Sequence, residues 1–223
     1  MKPFVCFMGL DGSGKSTGIE YARKTLAERG VNVRVVRAAY VVKVMSFFIK
    51  IGKKILMRGN SDAFSGNYKE YLENMRKKAD NGGFYYKVFS ALTTAEFKAQ
   101  IFFNIIMRRL FGQTLLVDRY IYDNAVTYAA NMGLGEEYMR DTIERKWKCA
   151  PKPALIIYIK TPVDVCLSRK DDIPDPLYLE VRRPLYDKIA EMYGATVISG
   201  NDGLERMQNE IMAAIDEVFG TDK

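Results

Sequence analysis

The sequence predicts an α/β fold in which helices cover both faces of one parallel sheet. Short apolar runs alternate with helix-forming stretches along the chain, which is the pattern of such folds. The first apolar run, Phe4–Met8, passes directly into a glycine-rich stretch at 9–17, and a later run, Thr114–Asp118, ends in a carboxylate. Ligands of parallel sheets bind at the carboxyl ends of strands, so these two features are expected at one edge.

The glycine-rich stretch fits a phosphate-binding loop. It reads G-L-D-G-S-G-K-S-T and matches the pattern G-x-x-x-x-G-K-S. Its glycines allow a tight turn that points successive N–H groups at an anion. Lys15 is expected to reach the terminal phosphates of a nucleotide, and the Ser16 hydroxyl to ligate Mg²⁺. The predicted nucleotide-binding residues of this P-loop are Gly9, Asp11, Gly12, Ser13, Gly14, Lys15, Ser16 and Thr17.

Composition limits the chemistry that the chain can perform. Its 223 residues fit one domain, 1–223. Histidine is absent, which excludes His-assisted nucleophiles and His-ligated zinc. The net charge of +7 suits phosphorylated substrates, and no run of five basic residues indicates a nucleic-acid tail. The three cysteines lie far apart, which favours a reduced, cytoplasmic protein without disulfides, and no signal peptide is evident.

The first half of the chain contains an unusual insertion. A helix at Lys15–Glu28, capped by Gly30, precedes a strand at 31–37. The apolar stretch 40–57 contains four lysines, which argue against a membrane span and favour a helix packed on the sheet or at a dimer interface. Residues 58–83 are polar, with one short helix at 67–78. The whole segment 40–83 is interpreted as an insertion on the substrate side.

The second half of the chain continues the alternation. A long, largely buried helix is expected at 84–111, before the strand Thr114–Asp118. Thr161 is expected to cap a short helix, and Pro184 to kink a later one. A capping box is expected at 202–205. Further elements are predicted as helices at 123–131 and 136–148, strands at 154–160 and Thr196–Ser199, and a last helix that ends near Phe219.

Several charged residues are candidates for chemistry. Asp118 ends a strand, as a magnesium-associated carboxylate does, although a lone strand-ending Asp is more often a turn residue. Arg119 follows it and is expected to clamp a second phosphate. Asp11 is expected to orient substrate or metal, or to stabilise the turn.

A basic pair is expected on a lid over the transferred phosphoryl group. Arg169 and Lys170 precede a charged, proline-broken loop, and the lid is placed at 169–176. The alternative is a solvated charge pair at a helix end. Arg182 and Arg183, on the helix after the lid, are further candidates, with surface ion pairing as the favoured alternative for at least one of them.

Taken together, the P-loop at 9–17, the run Val117-Asp118-Arg119-Tyr120 and the proline–strand–helix–Arg segment at 151–169 resemble thymidylate kinases. The resemblance implies the nucleoside monophosphate kinase fold, with a five-stranded parallel sheet in the order 2-3-1-4-5 and a short lid. It also implies ATP and Mg²⁺ as cofactors, dTMP or a related nucleoside monophosphate as acceptor, and a homodimer.

The same resemblance assigns roles to individual residues. Arg119 matches the acceptor-phosphate arginine, Tyr120 and Asn124 match positions near the acceptor, and Asn201 matches the loop against the adenine. The acceptor side also departs from the family pattern: an Arg-Glu-Pro segment is replaced by Arg-Ala-Ala at 37–39. An expected Asp-Arg pair is missing from 93–98, and Lys98 or Gln100 is the candidate substitute. The predicted catalytic residues are Asp11, Lys15, Asp118, Arg119 and Arg169.

Two alternatives stay open at this point. The altered acceptor side favours a kinase of the same fold that acts on another small acceptor. The apolar stretch 40–57 favours an ATP-dependent switch that binds a partner, although no guanine-reading Asn-Lys-x-Asp motif is present.

Overall fold

The computed structural model describes residues 1–39, 68–81 and 83–220. The predicted helix at 40–57 and the polar segment up to residue 67 therefore lie outside the described residues. That residues 1–223 form one domain stays a prediction.

The described strands form one parallel five-stranded sheet. Its order is β2-β3-β1-β4-β5, which confirms the predicted topology. β1 is central because its five residues are all buried and apolar, as a strand covered on both faces requires. The strands are β1 at Phe4–Met8, β2 at Val33–Arg37, β3 at Thr114–Asp118, β4 at Leu155–Lys160 and β5 at Thr196–Ser199.

Helices lie between consecutive strands, as the connections of a parallel sheet require. The predicted bounds of α1 are confirmed, and the helix predicted at 67–78 is α2. The helix expected at 84–111 is also present: it consists of α3, a π-helical turn at Phe102–Ile106 and a short α-helical turn at Met107–Leu110. The helices are α1 at Lys15–Glu28, α2 at Tyr68–Asn81, α3 at Gly83–Ile101, α4 at Ile121–Met132, α5 at Glu136–Asp141 with a π-helical turn at Thr142–Lys146, α6 at Val163–Ser168, α7 at Pro176–Glu180, α8 at Arg183–Tyr193 and α9 at Leu204–Phe219.

Two apolar layers enclose the sheet. Side chains alternate along β1, so Val5 and Phe7 pack against α1 and α9. Phe4, Cys6 and Met8 lie on the opposite face in the larger cluster, together with side chains of α4 and α8. The sheet is thereby fixed from both faces, and its carboxyl edge is left to the connecting loops.

Three local expectations were wrong. Thr161 does not cap α6, whose N-cap is Pro162. The N-cap of α9 is Gly203, without a side-chain capping bond, so the box expected at 202–205 is absent. The helix after the lid does not kink at Pro184 but is divided into α7 and α8 just before it, since proline is favoured in the first turn of a new helix.

The long helix is less buried than expected. Phe102 and Phe103 are 44% and 64% exposed, and Leu110 and Phe111 are 60% and 74% exposed. An apolar sequence indicates that a helix face avoids water, but not which surface covers it. Within the ranges that the structure describes, no helix is both long and apolar enough to cross a membrane.

Candidate functional site

The P-loop and the end of β3 meet at the carboxyl edge of the sheet. β1 and β3 are neighbours with Phe7 opposite Asp118, and the Arg119 N–H donates to the Phe7 carbonyl at 3.0 Å. This register brings Asp118 and Arg119 beside the loop that leaves β1, as the sequence predicted.

The P-loop backbone is packed too closely for side chains at two of its glycines. A Cβ on Gly12 would lie 2.4 Å from the carbonyl oxygen of Cys166, and one on Gly9 would lie 2.6 Å from that of Ile159. Gly12 also has a φ of +83°, which L-residues with side chains rarely adopt. The loop is therefore held by the backbone of β4 and α6.

Lys15 closes the P-loop from inside. Its Nζ donates to the carbonyl oxygens of Gly9 at 2.9 Å and Leu10 at 2.5 Å, and the residue is only 5% exposed. Burial, together with the nearby Arg119 guanidinium, lowers the pKa of Lys15 to about 8 from an ordinary 10.5. A bound polyphosphate would favour the charged ammonium and reverse this shift.

Thr161, expected as a helix cap, fastens the P-loop instead. Its buried Oγ1 donates to the Ser13 carbonyl at 3.0 Å, and Arg183 Nη1 donates to the Thr161 carbonyl at 3.0 Å. Gly200 packs against this hydrogen bond: a Cβ on Gly200 would lie 2.1 Å from Thr161 Oγ1 and 2.4 Å from the Ser13 carbonyl oxygen. The sequence carries no signal that distinguishes this contact from capping.

A cavity of about 300 Å³ lies over the P-loop. The structure brings together there most of the predicted donor-side residues and the basic pair predicted for the lid, Arg169 and Lys170, and it adds Arg37. Five of the lining residues are cationic, as a polyphosphate site requires. The lining residues are Asp11, Gly12, Ser13, Gly14, Lys15, Ser16, Thr17, Arg37, Asp118, Arg119, Arg169 and Lys170.

Asp118 has the properties of a magnesium-associated carboxylate. Its Oδ1 is buried and has no hydrogen-bond partner, and Arg37 Nε lies 4.0 Å from its Oδ2. Ser16 lines the same cavity and offers a hydroxyl oxygen. The described residues contain no group of three or more histidine, cysteine or acidic side chains that could hold a metal ion.

Arg119 is held by side chains from three other elements. Its guanidinium pairs with Asp11 of the P-loop, and donates to the Tyr186 hydroxyl at 3.2 Å and to Asp123 Oδ1 at 3.3 Å. Among the described residues, Arg119 is the one non-glycine with a positive φ, +64°. Such strain is found where the surrounding structure imposes it.

Asp11 is the carboxylate on the cavity side of this group. Tyr178 donates its hydroxyl to Asp11 Oδ2 at 3.3 Å. Burial raises the pKa of Asp11, but the charges of Arg119, Lys15 and Lys170 outweigh burial and hold the pKa below its usual value. The carboxylate is therefore ionised at neutral pH.

A second cavity of about 230 Å³ adjoins the first and includes Asn201, Gly200 and Arg169. Arg169 Nη1 donates to the Gly200 carbonyl at 3.0 Å. The predicted adenine loop and the predicted lid arginine therefore meet at one end of the P-loop cavity.

The predicted acceptor residues are placed less well than the donor residues. The Tyr120 side chain is fully buried in the core, where its ring contacts Phe4 and its hydroxyl donates to the Pro151 carbonyl. It therefore does not face the cavity. Lys98 is exposed on α3. Burial lowers the pKa of Lys146, and the nearby charge of Lys98 lowers it further. Asn124 lies half-buried in the first turn of α4. None of the three lines the P-loop cavity.

The sequence interpretation missed several side chains that line the cavities near Arg119. Arg37 and Tyr178, with Asp11 and Lys170, line a third cavity of about 220 Å³ under the 169–176 segment. Arg37 ends β2 as Asp118 ends β3, so its strand-end position was an available signal. Tyr178 and Tyr186 had no such signal, because only the packing of α7 and α8 brings them to the site.

Arg182 forms a buried cluster beside these groups. It is 4% exposed, and its guanidinium lies 3.7 Å from the centre of the Tyr178 ring. It donates to the Tyr68 hydroxyl at 2.9 Å and to Asn131 Oδ1 at 2.8 Å. The cluster joins α2, α4 and α7. Of the two adjacent arginines, Arg183 forms the expected ion pair, with its Nε 3.6 Å from Oδ2 of the partly exposed Asp187, whereas Arg182 is buried.

The fold and the site define a P-loop protein with the nucleoside monophosphate kinase fold. The chain is similar to a probable thymidylate kinase of Methanothermobacter thermautotrophicus, with 23% identity over 225 residues that span 97% of this chain and 96% of that protein. It is also similar to a thymidylate kinase of Acholeplasma laidlawii, with 26% identity over 219 residues that span 94% and 96%. No protein-family model matches the chain. The two alignments support the thymidylate kinase family, to which this chain is a distant relative.

Proposed function

We propose that the protein transfers the γ-phosphoryl group of ATP to a nucleoside monophosphate, with dTMP as the first candidate. The observation that carries the proposal is the cavity over the P-loop, where Lys15, Asp118, Arg119 and Arg169 converge. The similarity to two thymidylate kinases along almost the whole chain supports the same reaction.

The P-loop would bind the donor phosphates. Lys15 would exchange the Gly9 and Leu10 carbonyl oxygens for phosphate oxygens, and the loop N–H groups and the start of α1 would bind the remaining charge. Asn201 and Gly200 would lie beside the adenine.

Ser16 and the unpaired Oδ1 of Asp118 would hold Mg²⁺. When bound, the ion would neutralise the charge of the donor phosphates. Arg119 would bind the acceptor phosphate, and Arg169 would stabilise the charge that develops on the transferred group. Lys170 would exclude water by closing the 169–176 segment.

The proposal is tested by measuring ADP formation from ATP and Mg²⁺ with dTMP, dUMP, UMP, CMP, AMP and GMP. The matched control is Lys15→Ala, in which the expected loss of about 3–4 kcal/mol of transition-state stabilisation lowers kcat about 10²–10³-fold. Turnover that depends on dTMP and is lost in this variant is the expected result. ATP binding without turnover on any monophosphate would contradict the proposal.

A second candidate is a kinase of the same fold for another acceptor. The position of Lys98 favours it. Lys98 is a candidate substitute for the arginine of the missing Asp-Arg pair, but its side chain is exposed and does not line the P-loop cavity. Preference for a monophosphate other than dTMP in the same panel would support it. The switch alternative depends on segment 40–57, which lies outside the described residues.

We further propose a homodimer. Its support is the exposed apolar side of the long helix, where Phe102, Phe103, Leu110 and Phe111 lie. Sedimentation of Phe103→Glu beside the wild type tests it, since a charge at the centre of an apolar interface would dissociate the two copies. A cytoplasmic location remains a prediction from cysteine usage.

A further inference from the structure

A buried acid–phenol pair lies behind Arg119. Asp123 and Tyr186 are 3% and 1% exposed, and the Tyr186 hydroxyl donates to Asp123 Oδ1 at 2.7 Å. Both groups also contact the Arg119 guanidinium, at 3.3 Å and 3.2 Å. Neither was assigned a role by the sequence, and neither lines the P-loop cavity.

Helix capping accounts for only part of Asp123. As the third residue of α4, it accepts the Tyr120 N–H through Oδ2 at 3.1 Å. Its Oδ1 is not needed for that cap, yet it receives two further donors in the core. Burial raises the pKa of Asp123, and the Arg119 charge and the Tyr186 hydroxyl oppose this. Burying a carboxylate is unfavourable unless partners compensate it, so the arrangement requires Arg119.

The guanidinium of Arg119 thus has two different sides. One side pairs with Asp11, whose side chain is 27% exposed at the cavity. The other side meets Asp123, whose side chain is 4% exposed, and Tyr186 from α8. An incoming phosphate can compete for the Asp11 side, whereas the Asp123 and Tyr186 contacts are out of its reach.

We propose that Asp123 and Tyr186 are positioning residues that fix Arg119 from behind, so that the edge that pairs with Asp11 faces the cavity, where the phosphate of the acceptor would bind. The inference rests on the proposed function, because it takes the anion at Arg119 to be the acceptor monophosphate. An arginine that is ordered before binding loses less conformational freedom on binding. A fixed planar fork also suits the two oxygens of a phosphate better than a mobile one.

The test compares two variants, each of which lacks one buried tyrosine hydroxyl. Tyr186→Phe deletes the group that touches Arg119 and Asp123. Tyr158→Phe is the matched control: Tyr158 is 1% exposed and stacks on Tyr186 at 5.9 Å, but it is not among the partners of Arg119. Tyr186→Phe is expected to raise the KM for dTMP about tenfold and to change the KM for ATP less than twofold. Tyr158→Phe is expected to change neither.

A second variant, Asp123→Asn, tests the same inference in case Tyr186→Phe does not fold. Asp123→Asn keeps the size of the side chain and one of its two acceptor oxygens, but it removes the charge that attracts Arg119 and places an NH2 donor at the other oxygen's position. It is expected to raise the KM for dTMP without a matching fall in kcat. Thermal melting of each variant identifies those that fold cooperatively.

A direct readout is the NMR signal of the Arg119 side chain, assigned by its loss in Arg119→Lys. Hindered rotation should give resolved Nη–H signals in the wild type and in Tyr158→Phe. In Tyr186→Phe these signals should merge or broaden, because one of the three contacts is gone.

The outcomes separate the two claims. If the wild type turns over no monophosphate, the proposed function fails, and the NMR comparison alone decides whether the pair fixes Arg119. If the wild type is active but Tyr186→Phe leaves the dTMP KM unchanged, the positioning role is overturned while the proposed function stands. Unchanged Nη–H signals in Tyr186→Phe overturn the inference in either case.

Discussion

The proposed donor side and the proposed acceptor side of this site are built in different ways. The P-loop is made of consecutive residues, and its backbone packs directly on the backbone of Cys166 and Ile159. The acceptor side is made of side chains from distant parts of the chain. Arg119 contacts Asp11 across 108 residues and Tyr186 across 67.

This difference determines how each half responds to change. On the donor side, the critical property is backbone conformation, so adding a single methyl group is expected to be disruptive. On the acceptor side, the critical property is a network of hydrogen bonds between side chains. There, loss of one hydrogen-bonding side chain is expected to reduce stability and binding of the nucleoside monophosphate, while the ATP-binding side remains intact.

The largest effect is expected from Gly12→Ala. Its φ of +83° and the 2.4 Å approach to the Cys166 carbonyl together predict a loss of about 2–4 kcal/mol of stability. ATP binding should be lost as well, because the loop cannot keep its shape. Urea unfolding and titration with a fluorescent ATP analogue measure the two effects.

Gly30→Ala is the control for backbone strain alone. Gly30 has a similar φ of +77°, but a Cβ there meets nothing within 4 Å. Its expected cost is about 1 kcal/mol, with unchanged ATP binding. Equal losses in the two variants would contradict the role given to close packing.

An intermediate effect is expected from Arg182→Met on the acceptor side. The change removes the buried guanidinium donor to the Tyr68 hydroxyl and to Asn131 Oδ1, which keeps the longer 3.4 Å bond from that hydroxyl. It also removes the cation above the Tyr178 ring. The expected loss is about 2–3 kcal/mol, or a Tm lower by about 5–10 °C.

The specificity of that effect is the sharper part of the prediction. The KM for the acceptor should rise, since Tyr178 also contacts Asp11, whereas ATP affinity should stay within twofold. Arg23→Met, which removes only an exposed pair with Glu20, should leave Tm unchanged. A parallel loss of ATP affinity in Arg182→Met would show that the two sides are not separable.

The smallest effect is a proton taken up with ATP. Lys15 has a pKa of about 8 in the free protein, and bound phosphates raise it again. At pH 8 the free ammonium is about half deprotonated, so about half a proton should be taken up per ATP. Uptake should vanish below about pH 6.5, and above pH 8 ATP affinity should fall as pH rises.

Calorimetry in buffers of different ionisation enthalpy measures this uptake. Lys15→Arg provides the control, because arginine does not titrate in this range and any remaining ATP binding should occur without proton uptake. Uptake that is unchanged in this variant would exclude Lys15 as its source.

Most of the fold was predictable because its signals are local. The all-apolar run Phe4–Met8 predicts a strand buried on both faces, and α1 begins directly after the glycines and ends before Gly30. Caps were less predictable, since Thr161 has the right residue type and position for capping but bonds to Ser13 instead. A hydroxyl donates to the acceptor that tertiary packing brings close to it, and that acceptor cannot be identified from the sequence.

By itself, the sequence determined the P-loop, the parallel sheet and the strand-end position of Asp118. These depend on residue types next to one another in the chain, and on the rule that parallel strands end at one edge. Only the tertiary structure decided which side chains surround Arg119. Tyr120 and Tyr186 are both buried in the core, but it is the hydroxyl of Tyr186 that reaches Arg119, whereas that of Tyr120 donates to the Pro151 carbonyl. The reason is physical: the packing angles of α4, α7 and α8 set the directions of these side chains, and those angles result from the whole core rather than from any one segment.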